Sequence, residues 1–180
     1  MHDAEQIRRK LSRAARRLVD QTGAAVTAAD LAAAATLPPA TIGQVYGDFE
    51  TLLCELLGQM HDEVRDLIAN LTLNMPAGRS RLKLAVDAYL QALFERPALR
   101  ALASRLRFHP QGAQLIRQRV HGFNLLLQME LKNIGWRQPD ALARLATAAI
   151  IEIGLAEAEA GHPLPELRET LLNYFDTESR

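Results

Sequence analysis

Residues 27–53, TAADLAAAATLPPATIGQVYGDFETLL, hold two short helices joined by a turn and the start of a longer third helix. Thr27 can cap the first helix with its hydroxyl, and Ala28 to Ala35 is almost unbroken high-propensity sequence. The turn falls on Thr36–Leu37. Pro38 and Pro39 stop the first helix and are tolerated in the first turn of the next, where amide protons have no partner within the helix. Asp48 is a good N-cap for the third helix, and Glu50 in its first turn suits the positive end of the dipole. Leu31, Leu37, Ile42, Val45, Tyr46 and Phe49 supply a small apolar core. Two short helices with such a turn form a helix-turn-helix, whose second helix enters the major groove of DNA.

On that second helix Thr41 and Gln44 lie three residues apart and are expected to share a face. Glutamine can bond an adenine edge bidentately, and threonine offers a hydroxyl and a methyl group. Pro39 and Ala40 could make apolar contact at the helix start, while Gly43 leaves bare backbone. Upstream, Ile7, Leu11, Ala14/Ala15 and Leu18 recur at helical spacing, so residues 4–21 form an amphipathic helix. Arg9, Arg13 and Arg16 fall opposite its apolar face. They read equally as phosphate contacts or as a solvated surface.

Composition bounds the rest. The chain has 180 residues, 48% hydrophobic and 23% charged, which belongs to a globular protein with room for a sizeable core. No apolar run reaches the ~18–20 residues of a membrane span, and the charged start HDAEQIRRKLSRAARR has no signal-peptide core. With one cysteine, Cys54, an internal disulfide is excluded, and a cytoplasmic location is expected. Lys and Arg together number 21, balanced by 21 Asp and Glu. No Lys or Arg occurs between Asp20 and Arg65, so the basic residues of the N-terminal third are those from Arg8 to Arg17.

Beyond Asp48 the apolar pattern continues as helices. One runs to about Leu71, and Asn74–Gly78 breaks it. Leu82 to Phe94 mark the next, Pro97 to Leu106 a short one ended by His109-Pro110, and Leu115 to Ile134 a long one closed by Gly135. Residues 139–160 are apolar almost all round, and 164–175 close the chain. A helix apolar on most faces must be buried in its own domain or against a partner. Paired with 164–175, it could form a two-fold four-helix interface, making the chain a homodimer. The expected class is all-α, about nine helices, with no strand signal.

Thr27, Leu31-Ala32, Ala35-Thr36-Leu37, Thr41-Ile42, Tyr46 and Leu52 resemble, without a gap, the N-terminal pattern of the TetR family of transcriptional regulators. Gly23 also stands where that family ends its first helix. Gly43 takes the place of the family's phosphate-touching Tyr, Pro38 that of its Ser, and Phe49 that of its Lys. The resemblance implies a helix-turn-helix domain over 1–50 and a helical ligand-binding and dimerisation domain over 51–180. It implies DNA contacts from Arg8, Arg9, Thr27, Pro39, Ala40, Thr41, Gln44 and Tyr46. The expected function is a repressor that leaves a pseudo-palindromic double-stranded DNA operator when a small, largely apolar effector binds. The alternative is a TetR-like ligand-binding or protein-interaction dimer whose head is degenerate.

For the effector, Phe108, His109, Phe123, Asn124 and Gln128 combine apolar bulk with a few polar groups, the usual composition of a ligand pocket. Glu152 reads either as a buried carboxylate or, with Glu159, as part of a polar face. The five histidines show no metal spacing, and no nucleophilic, Walker or dinucleotide pattern appears. No enzyme activity, metal or cofactor is expected.

Overall fold

Local signals set most helix ends. The computed structural model describes residues 2–176, with α1 (His2–Thr22), a 3-10 turn (Gly23–Ala25), α2 (Ala28–Ala35), α3 (Ala40–Tyr46) and α4 (Phe49–Thr72). There follow α5 (Arg79–Glu95), α6 (Pro97–Leu106), α7 (Pro110–Asn133), α8 (Pro139–Ala160) and α9 (Pro165–Tyr174). Among the described residues there are nine α-helices and no strand, as the periodicity predicts. Four helices, α6 to α9, open on a proline, whose missing amide proton costs nothing there. His109-Pro110, read as the end of α6, also begins α7 about five residues earlier than the apolar pattern suggests.

Thr27 makes a full capping box with Asp30: its hydroxyl accepts from the Asp30 amide at 3.2 Å, and its own amide donates to the Asp30 carboxylate at 3.1 Å. The helix ends on Thr36, which adopts left-handed backbone at φ 53. Leu37 N–H then donates to Ala32 O at 3.0 Å, closing a Schellman-type end around a residue that is usually glycine. Asp48 caps α4 by accepting from Thr51 N–H at 2.6 Å.

The chain forms two compact units. The first takes in the described residues up to Asp62 together with Pro97–Ile116; the second holds Glu63–Arg96 and the residues from Arg117 on. The first is thus larger than the 1–50 segment, because α6 packs with it. Arg105 is the fastener. Its Nη1 donates to Ala24 O and Val26 O at 2.7 and 2.8 Å, its Nη2 meets Glu50 at 2.9 Å, and its guanidinium lies over Phe49. Gly112 lets the first turn of α7 close on the end of α6, since a Cβ there would stand 2.3 Å from Leu106 O.

In the second unit Leu82, Val86, Leu90, Leu131, Ala146, Ile150 and Phe175 anchor the core. A charge pair sits inside it. Glu157 is fully buried and Arg168 is 8% exposed, with Nε–Oε1 at 2.5 Å and Nη2–Oε2 at 2.7 Å. Leu164 N–H also donates to Glu157, and Arg168 Nη1 donates to Asp87 and Gln91. Glu152 is exposed, so the buried carboxylate of α8 is Glu157. No helix among the described residues is long and apolar enough to cross a membrane.

Candidate nucleic-acid interface

The short helix α3 divides sharply into two sides. Leu31, Ile42 and Tyr46 are buried, with Leu37, Val45 and Phe49 partly so, which gives the small core expected between the helices. Exposed on the other side are Pro39, Ala40, Gly43, Gln44 and Gly47. Thr41 does not join them. It is only 8% exposed, because successive residues turn by about 100° and it lies closer to Val45 on the inner side than to Gln44. The expectation that Thr41 and Gln44 read DNA from one face is corrected: Gln44 projects alone.

Thr27 is exposed, and its hydroxyl and amide both engage Asp30, so its observed work is capping. Tyr46 is a core residue: burial pushes its pKa above the ordinary tyrosine value, and its hydroxyl donates to Arg8 O at 3.3 Å. Arg8 lies 4.8 Å above the Tyr46 ring and bonds Glu55 of α4 at 2.6 Å, which holds its pKa above the usual arginine value. The guanidinium nominated for phosphate is therefore held by a carboxylate. Ser12, one turn further, meets Gln59 of α4 at 3.4 Å, so this side of α1 is the seam with α4.

The remaining cations of α1 point elsewhere. Gln6, Arg9, Lys10, Arg13, Arg16 and Arg17 line an open trough of about 890 Å³ on the outward face of that helix. Arg9 pairs loosely with Glu5 at 3.5 Å, and Arg16 with Asp20 at 3.1 Å. Lys10, Arg13 and Arg17 make no ion pair among the described residues. The first unit thus carries two separate features: an uncharged exposed face on α3 and a cationic strip on α1.

The five effector candidates divide between the units. Phe108 and His109 belong to the first, where Phe108 is 83% exposed under Arg107 and His109 Nδ1 lies 3.9 Å from Cys54 Sγ. Burial pushes the Cys54 thiol up, against a reactive thiolate. Phe123, Asn124 and Gln128 belong to the second unit. There Phe123 stacks on Tyr89 with centroids 4.6 Å apart, and Gln128 bonds Asp140. The buried Asn124 Oδ1 and Thr147 Oγ1 have no hydrogen-bond partner among the described residues. Thr147, inside an apolar helix face, was not singled out from the sequence; a threonine on that stripe was the available signal.

The helix-turn-helix, the helix order and the bundle together are the TetR fold. Among solved structures, a protein from Saccharomonospora viridis in complex with choline superposes with a TM-score of 0.77 at 18% identity, over 97% of each chain. A transcriptional regulator from Rhodococcus sp. Rha1 gives 0.74 at 18% identity, covering 93% of this chain and 92% of that one. A TetR-family regulator from Agrobacterium tumefaciens gives 0.72 at 15%, covering 98% of this chain and all of that one. No protein-family model and no curated protein matches the sequence.

Proposed function

We propose that this protein is a DNA-binding transcriptional repressor, acting as a homodimer on a pseudo-palindromic operator and released by a small, largely apolar effector. The observation that carries the reading is the two-sided α3 helix, its inner side buried and its outer side free of any protein cover. An exposed helix held at a turn by a packed core is the geometry that enters a major groove. Phosphate affinity comes from the cationic strip of α1, since the reading helices themselves have no positive charge.

Two-fold association through residues 139–160 and 164–175 is supported by the apolar side chains left exposed there: Leu145, Ile151 and Leu155 on α8, Leu167 and Tyr174 on α9. For the effector, Phe123 and Asn124 in the second unit are the favoured contacts, because an unpartnered buried amide oxygen on the residue next to a stacked aromatic is a group a ligand can satisfy. Release requires that the effector bind the DNA-incompetent state more tightly.

The test is fluorescence anisotropy of the full chain against its own upstream intergenic DNA, with scrambled DNA alongside, at about 50 and about 200 mM salt. Sequence-dependent binding is the expected result. Failure to select any genomic fragment over scrambled DNA would sink the repressor reading. It would leave the second one, a TetR-like ligand-binding or protein-interaction dimer with a degenerate head, which the Arg8–Glu55 pair and the uncharged helices favour.

A further inference from the structure

We infer that the head reads A·T base pairs in preference to G·C, and does so through the single side-chain amide of Gln44. The inference rests on the regulator reading above. Of the five residues exposed on the outer side of α3, Pro39, Ala40, Gly43 and Gly47 have no polar side-chain atom. Thr41, the other polar residue of that helix turn, is turned inward. Among the described residues Gln44 is left as the only hydrogen-bonding side chain on the outer side of α3.

An amide presents one donor group and one acceptor side by side. Adenine presents the complement in the major groove, an N7 acceptor beside an N6 donor. Guanine presents two acceptors, N7 and O6, which are matched by the paired donors of arginine or by lysine. Neither residue occurs from Gln21 to Val64. Placed against guanine, Gln44 would set its own carbonyl oxygen against an acceptor and lose one bond of the bidentate pair, a mismatch of about tenfold or more in affinity.

Cytosine recognition is disfavoured too. It calls for a carboxylate to accept from N4, and the three carboxylates of residues 27–53 are all engaged, Asp30 with Thr27, Asp48 with Thr51 and Glu50 with Arg105. The apolar neighbours point the same way: Pro39 and Ala40 can touch the thymine methyl, a group that G·C pairs lack. A Cβ built on Gly43 or Gly47 would meet nothing within 4 Å, so bare backbone faces outward and the helix can approach the bases closely.

The experiment is selection from a randomised duplex pool by the full-length chain and by two variants, Gln44→Ala and Gln44→Arg. Both changes fall on an exposed side chain, and unchanged thermal melting verifies that the variants fold. The wild-type chain is expected to enrich half-sites with one strongly preferred A·T pair. Gln44→Ala should lose that preference by about tenfold or more at that base pair alone. Gln44→Arg should move it to guanine. Enriched half-sites centred on G·C, or a base preference that neither variant moves, would overturn the inference while leaving sequence-specific binding intact. A wild-type chain that enriches nothing would instead overturn the regulator reading, and the inference with it.

Discussion

Under the proposed function the Glu55 carboxylate would compete with DNA for Arg8, and Glu55→Gln is expected to tighten DNA binding. In the free protein Arg8 is paired with Glu55 at 2.6 Å, with side chains 50% and 35% exposed. Pairs this open to solvent are screened and contribute at most about 1 kcal/mol. A phosphate taking Arg8 must first break the pair, so removing it strengthens binding by up to about fivefold per head. Two heads on one operator give up to about 25-fold at low salt. Each newly engaged phosphate adds about 0.9 to the slope of log affinity against log salt, and two heads add about 1.8. The assay is a salt titration of anisotropy for wild type and Glu55→Gln on one duplex. Loss of the pair should lower the melting temperature by no more than about 2–4 °C, which thermal melting checks. An affinity and slope identical to wild type would show that Arg8 plays no part at the DNA surface, and the reasoning would fail.

Three further predictions concern the frame that holds the site. Thr36→Gly should raise stability by about 1 kcal/mol in a chemical melt, because a β-branched residue now sits in left-handed backbone at φ 53; no gain would mean the turn is not strained. Glu157→Gln should cost about 3–5 kcal/mol by removing the buried anion of Arg168 and leaving only the half-exposed Asp87 at 3.2 Å, and the double change to Met at both positions should recover most of it. A urea melt showing less than about 1 kcal/mol for the single change would refute the buried-pair account. The Asp30 and Asp48 carboxyls are held below their ordinary range by their caps to Thr27 and Thr51. Their contribution is therefore present above the ordinary carboxylate pKa and is lost as pH falls through the lowered values. Thermal melting should show a smaller acid-side loss in Asp48→Asn, which caps without titrating.

Caps and prolines act within about four residues, and this is why the sequence by itself determined the helix order. Thr27, Asp48, Pro97, Pro139 and Pro165 each mark a boundary that the structure keeps, and the run from Thr27 to Tyr46 already carries the helix-turn-helix. The outward placement of Gln44 and the inward placement of Ile42 and Tyr46 follow from helical spacing and apolarity alone. Thr41 lies near the border between those sides, and its burial was decided by how closely the helices dock. The partner of a charge is a longer-range matter. Arg8 finds Glu55 across a separation of 47 residues, and Arg168 reaches Asp87 across 81. No local rule of spacing relates such positions; only the packing angles of helices bring them within bonding distance. The tertiary structure alone thus turned Arg8 from a free cation into a paired one, made Glu157 a buried anion, and made Arg105 the fastener that ties α6 to the helix-turn-helix segment.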